Sequence, residues 1–180
     1  MQNGGMANTD NIPQKTLECI AHAEDVFGEY LKKNNLSFTK ARRNALKVIY
    51  SIDGHFDLES LKKRFLEMEV SFHFTSIFRL INVLVEAGML EKIKTNSHRK
   101  VAYECSLCRQ HHDHMVCNDC GQIIEFHNAK IEKLQEKEAE EQGFEILYHN
   151  LIITGICKNC RDRKKNERYQ SPSNVVKQVD

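Results

Sequence analysis

Nothing in this chain of 180 residues is built to cross a membrane, because no apolar stretch approaches the roughly 18 residues of a spanning helix. Met1 to Gln14 also lacks the basic-then-apolar order of a secretory leader. The expectation is a cytoplasmic protein with no membrane partner. Thiols stay reduced in that compartment, so the seven cysteines read as metal or redox groups before they read as disulfides. An excess of charge of one sign is missing too, the formal net value being +1. That balance conceals an asymmetry. Lys40, Arg42, Arg43, Lys47, Lys62, Lys63, Arg64, Arg79, Lys92, Lys94, Arg99 and Lys100 lie in one half, whereas Glu132, Glu136, Glu138, Glu140, Glu141 and Glu145 crowd the other. A basic half joined to an acidic half suggests a polyanion partner for the first; two solvated faces are the alternative.

Hydrophobic periodicity divides the chain further. Residues 1–14 and 164–180 are polar and aperiodic and read as disordered tails. Leu17 to Lys33 reads as a helix with an apolar stripe of Leu17, Ile20, Ala21, Val26 or Phe27, and Leu31. Thr39 to Ser51 repeats the pattern through Ala45, Leu46, Val48 and Ile49, and Asp57 is placed to cap a third helix bearing Leu58, Leu61, Phe65 and Leu66. A fourth, TSIFRLINVLVEAGML, carries Ile77, Leu80, Ile81, Leu84 and Val85 on one face and stops at Gly88. LEKIK and KVAYE follow as short strands around an NSHR turn. Helices followed by a two-stranded wing make a winged helix-turn-helix over residues 15–104. Residues 105–110 read as a hinge. From 111 to 163 the texture becomes that of a small α/β unit: strands HHDHMVC and QIIEF, an acidic helix capped by Asn128 and closed by Gly143, then a long strand FEILYHNLIITGIC. The fold class is therefore α+β. The second unit is small for its own core and needs a staple or a partner.

Cys117-x-x-Cys120 and Cys157-x-x-Cys160 supply such a staple. Each knuckle turns two thiolates toward one ion, and two knuckles complete a tetrahedral, closed, structural zinc site. Beside them lies HHDH. A strand sends successive side chains to opposite faces, so His111 and Asp113 face one way and His112 and His114 the other. One tetrapeptide thus feeds two sites, and imidazole mixed with carboxylate suits Fe(II), Mn(II), Co(II) or Zn(II).

The run HHDHMVCNDCGQIIEF, preceded by TSIFR and followed by CKNC, resembles the ferric uptake regulator family over about residues 30 to 163. The resemblance implies a winged-helix DNA-binding domain and an α/β dimerisation domain. It further implies a homodimer that binds a palindromic double-stranded DNA operator when metal is loaded, usually as a repressor. Carried over by position, Cys117, Cys120, Cys157 and Cys160 hold structural Zn2+. His55, Glu104, His112, His114 and Glu125 hold the regulatory metal, and His111, Asp113, Glu132 and His149 form an additional site. The resemblance also places Thr39 and Arg42 near the DNA backbone. On the TSIFR helix, Ser76, Arg79 and Val83 face away from the apolar stripe with Phe78 beside them, and there Arg79 can meet phosphate or guanine and Phe78 a thymine methyl. The family usually has tyrosine at the position of Phe78.

Glutamate at both 104 and 125 favours Fe2+ as the regulatory metal, with Mn2+ or Zn2+ as alternatives, because the family's peroxide sensors typically place aspartate there. Peroxide sensing is the runner-up, followed by zinc-uptake control. A metal-dependent hydrolase using Glu125 as base lacks any sign of a substrate pocket, so no enzyme is expected. Cys105-x-x-Cys108 reads as a redox pair, a softening ligand for the regulatory site, or two partly exposed linker thiols. Cys19, His22, His73, His98 and His127 have no partner at telling spacing and read as structural.

Overall fold

The computed structural model describes residues 12–71, 73–94 and 101–170, with side chains through 165; the NSHR turn and His98 lie outside the described residues. The described helices and strands run in the order α1 (Gln14–Lys33), α2 (Lys40–Tyr50), α3 (Leu58–Glu67), α4 (Phe74–Glu86), β1 (Leu90–Lys94), β2 (Val101–Cys105), β3 (Asp113–Cys117), β4 (Ile123–Phe126), α5 (Ala129–Glu141), β5 (Ile152–Gly155) and α6 (Lys158–Gln170). They form two compact units that meet in sequence at Gln110 and His111.

The first unit is a helical layer with a two-stranded wing. Its core is Ile20, Ala23, Phe27 and Leu31 of α1, Ala45, Leu46, Val48 and Ile49 of α2, Leu61 and Phe65 of α3, and Ile77, Leu80, Ile81 and Leu84 of α4. Two expected core members differ. In α1, Ala23 is buried and Ala21 exposed, because the 20, 23, 27, 31 stripe meets α2; in α3, Leu66 is 72% exposed. Helix starts follow side-chain chemistry: Thr39 Oγ1 accepts from Arg42 N at 3.3 Å, and Asp57 forms a capping box with Ser60. Gly88, at φ +69°, ends α4, and the chain closes that end with Met89 N donating to Leu84 O at 2.8 Å. β1 and β2 pair antiparallel from Leu90↔Cys105 to Lys94↔Val101. Phe56 adds a further antiparallel bridge to Tyr103, its N–H donating to Tyr103 O at 2.9 Å and its carbonyl accepting at 2.7 Å. The wing thereby reaches back to the segment before α3. Tyr50 ties α2 to the start of the wing through its hydroxyl, which donates to Met89 O at 2.9 Å.

The second unit is a three-stranded sheet of order β4-β3-β5, with β4 antiparallel to β3 and β5 parallel to it. α5 provides the crossover between β4 and β5. Asn128 caps it by accepting from Lys130 N at 3.0 Å. Two expectations are corrected here. The strand anticipated from Phe144 onward is limited to Ile152–Gly155, where the hydrogen bonds to β3 exist; Phe144, Leu147 and Tyr148 instead stand exposed. Of the tail anticipated over residues 164–180, the part as far as Gln170 is helical, because the helix that opens at Lys158 carries through it; residues 171–180, and 1–11 of the tail anticipated over 1–14, lie outside the described residues. The run of lysine, arginine and glutamate in α6 is compatible with helix and no breaker interrupts it.

Candidate metal centres and nucleic-acid surface

The four thiols of Cys117, Cys120, Cys157 and Cys160 converge, with all four sulfurs within 4.8 Å of one another. The first knuckle is a hairpin turn, Gly121 N donating to Cys117 O at 2.9 Å and Cys117 N to Gln122 O at 2.8 Å. The second opens α6. Asn118 N donates to Gly155 O at 2.7 Å and so holds the knuckles together. Amides aimed at sulfur, those of Cys120 first and Cys157 next, bring the Cys117 thiol down to about 6. Cys157 N donates to that sulfur at 3.3 Å. Burial and the neighbouring thiols push Cys160 the other way. One ready thiolate among four crowded sulfurs is a donor set that suits a tetrahedral soft cation such as zinc. Behind it, Asp119 accepts from Arg163 at 2.9 Å and pairs with Lys164 at 3.2 Å, fastening α6 to the first knuckle.

The strand expected from His111 begins at Asp113, so β3 carries Asp113 and His114 while His111 and His112 lie in the segment before it. Asp113, fully buried, meets His111, Glu132 and His149 in a second convergent group with ligand atoms within 4.8 Å. His111 Nε2 stands 3.5 Å from Asp113 Oδ1 and 3.6 Å from Glu132 Oε1, and His149 Nε2 stands 2.9 Å from Glu132 Oε2. The separations are short, yet both Asp113 oxygens, Glu132 Oε1 and His149 Nε2 are buried without a hydrogen bond. Buried carboxylates without donors are costly, and a cation at their centre would satisfy them together. The opposite side of β3 presents fully buried His114, whose ring lies edge-on to that of His112 at 4.9 Å. Glu125, paired across from His114 in the β3–β4 register, brings a carboxylate oxygen 3.8 Å from His112 Nε2.

The first unit holds a pair of its own. The Phe56–Tyr103 bridge sets the preceding His55 against the following Glu104, with Nε2 to Oε2 at 3.1 Å. Glu104 is buried, and its Oε1 is held by the Arg109 guanidinium, which also reaches Asp53 Oδ1 at 2.9 Å. Arg109 had no signal in spacing; only the turn after β2 brings it to Glu104.

The cysteines outside the zinc-type cluster depart from expectation. Cys105 is not a linker thiol: it ends β2, is buried beside Ile49 O at 3.8 Å, and burial pushes its thiol up to about 12. Its neighbour in the CxxC does not pair with it. Cys108 forms a disulfide with Cys19 of α1, 89 residues away, with Cα atoms 5.9 Å apart. The expectation of thiols free of disulfides, and of a Cys19 without a partner, is thus corrected by a pairing that sequence spacing cannot reveal.

On α4, Ser76, Phe78 and Arg79 are exposed on the face opposite the buried stripe. Ser76 and Arg79 line a cleft with Thr39, Arg42, Ser71 and His73. Thr39 already caps α2, and Arg42 donates to Ser37 O at 2.8 Å, so these two also shape the loop before α2. His73, at the N-cap position of α4, joins the cleft although it had read as structural. Among the described residues, no helix is long and apolar enough to cross a membrane.

Residues 33–154 match the ferric uptake regulator family. The ferric uptake regulation protein of Campylobacter jejuni is 36% identical over 140 residues, covering 77% of this chain and 88% of that one. The Helicobacter pylori ferric uptake regulator, with three functional metal-binding sites, superimposes with a TM-score of 0.64 at 25% identity over 79% of this chain and 93% of that chain. The Pseudomonas aeruginosa ferric uptake regulator with manganese gives 0.63 at 29% identity over 73% and 97%. The chain belongs to the ferric uptake regulator family and is a metal-dependent transcription regulator with an N-terminal DNA-binding and a C-terminal dimerisation domain.

Proposed function

We propose that this chain is an iron-responsive repressor that binds palindromic double-stranded DNA operators as a homodimer in the cytoplasm when Fe2+ is loaded. The observation that carries this reading is the division of labour along β3: Asp113 and His114 face opposite ways, each with its own imidazole and carboxylate neighbours, beside a separate group of four thiols. In this reading Cys117, Cys120, Cys157 and Cys160 hold permanent Zn2+ and keep the C-terminal unit folded. His111, Asp113, Glu132 and His149 hold an additional divalent ion. His55, Glu104, His112, His114 and Glu125 serve the regulatory metal. When bound, that ion favours the DNA-competent form, and moving a population from 1:99 to 99:1 requires about 5.5 kcal/mol of differential binding.

The reading head is α4, with Ser76, Phe78 and Arg79 at base edges and Thr39 and Arg42 near the backbone. Phe78, half exposed at 46%, offers an apolar contact to a thymine methyl without tyrosine's hydroxyl. Dimerisation is supported by an apolar surface on the C-terminal unit, where Leu134 is 66%, Phe144 75%, Leu147 86% and Tyr148 88% exposed. A second copy is the proposed cover. Peroxide sensing is disfavoured by glutamate at 104 and 125.

The test is operator binding by fluorescence anisotropy under anaerobic conditions with Fe2+ or Mn2+. Metal should tighten binding in the wild type. His112→Ala with His114→Ala should remove that response while zinc content and fold stay unchanged; an intact metal response in the double variant would overturn the assignment.

A further inference from the structure

Cys19 and Cys108 stand outside every role given above. Cys108 sits at φ +63°, a left-handed conformation that a non-glycine residue adopts reluctantly, so a segment released from its disulfide has reason to relax. The next residue is Arg109, whose guanidinium grips Glu104 and Asp53. Glu104 in turn offers its other oxygen to His55. An arginine on a carboxylate competes with any divalent cation for that carboxylate's charge. The disulfide therefore fastens, to α1, the very segment that presents the competitor. Cys105 is no rival partner, being buried against Ile49 O inside β2.

We propose that Cys19 and Cys108 are a redox-responsive dithiol whose oxidation locks Arg109 onto Glu104 and weakens the metal site that Glu104 serves. The proposal rests on Glu104 being a regulatory-metal ligand. The oxidant is a small-molecule disulfide. One protein thiolate attacks it, forming a mixed disulfide and expelling one small thiol; the second protein thiolate then displaces the other. Two protein thiols become one disulfide, one small disulfide becomes two thiols, and the two protons end on the released thiols. In a reducing compartment the resting protein holds both thiols reduced, Arg109 can leave Glu104, and metal binds. Oxidation then favours metal loss and release of repression.

The experiment uses the full zinc-loaded chain, poised in reduced or oxidised glutathione and verified for equal zinc content. Linked peptides are mapped by mass spectrometry after alkylation, and Mn2+ binding is titrated on the same samples. A peptide joining Cys19 to Cys108 should form in the oxidised sample, with Mn2+ affinity lowered about 5-fold or more. Cys19→Ser should bind Mn2+ like the reduced wild type in both buffers, while Arg109→Ala should form the link and lose no affinity. Absence of the linked peptide, an unchanged affinity despite it, or the same oxidative loss in Cys19→Ser overturns the proposal. Failure of the underlying metal assignment has a different signature: Mn2+ binding by the reduced protein would be indifferent to Glu104→Gln, which overturns both readings even where the peptide forms.

Discussion

Asp113→Asn is expected to raise stability in one condition and lower it in another. The carboxylate is fully buried and neither oxygen accepts a hydrogen bond, although His111 Nε2 is 3.5 Å away. Without a cation, the wild type therefore carries an unsatisfied buried group whose cost is about 1–3 kcal/mol or more. Asparagine has nearly the same shape and no charge to desolvate, so the stripped variant should be the more stable protein. With Mn2+ at about 1,000 times its dissociation constant, linkage adds about 4.1 kcal/mol to the wild type and little to the variant. For a unit of this size each kcal/mol moves the midpoint by about 4–8 °C, so the two melting curves should exchange order by a margin of several degrees. The assay is thermal unfolding at fixed protein concentration and pH 8, with a weak chelator that spares the four-thiolate zinc, then with excess Mn2+, zinc being counted in each sample. If Asp113→Asn melts below wild type in both conditions and shows the same Mn2+ shift, the cluster is structural and the argument from orphaned carboxylates is wrong.

Two further outcomes follow from the same geometry. Cys117→Ser should release zinc and cost the C-terminal unit its fold or its dimer, read by elemental analysis and sedimentation; a zinc-free variant with wild-type assembly would refute the staple. Arg79→Ala should weaken operator binding by about 1–3 kcal/mol with metal content unchanged, measured by anisotropy at fixed salt; unaltered binding would move the reading surface off α4.

Much of this was legible because it is local. The two CxxC knuckles, the alternation of 111/113 against 112/114, and the i, i+3, i+4 stripe of α4 are periodicities that backbone geometry imposes on any chain. Asn128 and Asp57 announced their helices by the same local logic. What stayed hidden depends on tertiary closure. His55 and Glu104, grouped beforehand by resemblance alone, meet only through the Phe56–Tyr103 bridge, and Arg109 joins them only through a turn. Cys19 and Cys108 pair across 89 residues, which no spacing rule anticipates, and the CxxC containing Cys108 pointed to the wrong partner. Glu132 and His149 looked like ordinary solvated residues of an acidic helix and a strand; family resemblance alone nominated them. The stretch from Phe144 to Asn150 has strand composition but forms no strand among the described residues, so composition overcalled it.

β3 is hydrogen-bonded on both flanks, in one register to β4 and in another to β5. Side chains along this five-residue ribbon can be exchanged one at a time, but its length cannot change. A single amino acid inserted before Asp113 would leave the strand intact; one inserted between Asp113 and Cys117 would turn everything beyond it over, sending an imidazole where a carboxylate belongs and pulling a sulfur out of line at the far end. Evolution of new metal preferences in this protein should therefore proceed by substitution along β3, with insertions and deletions confined to the loops on either side.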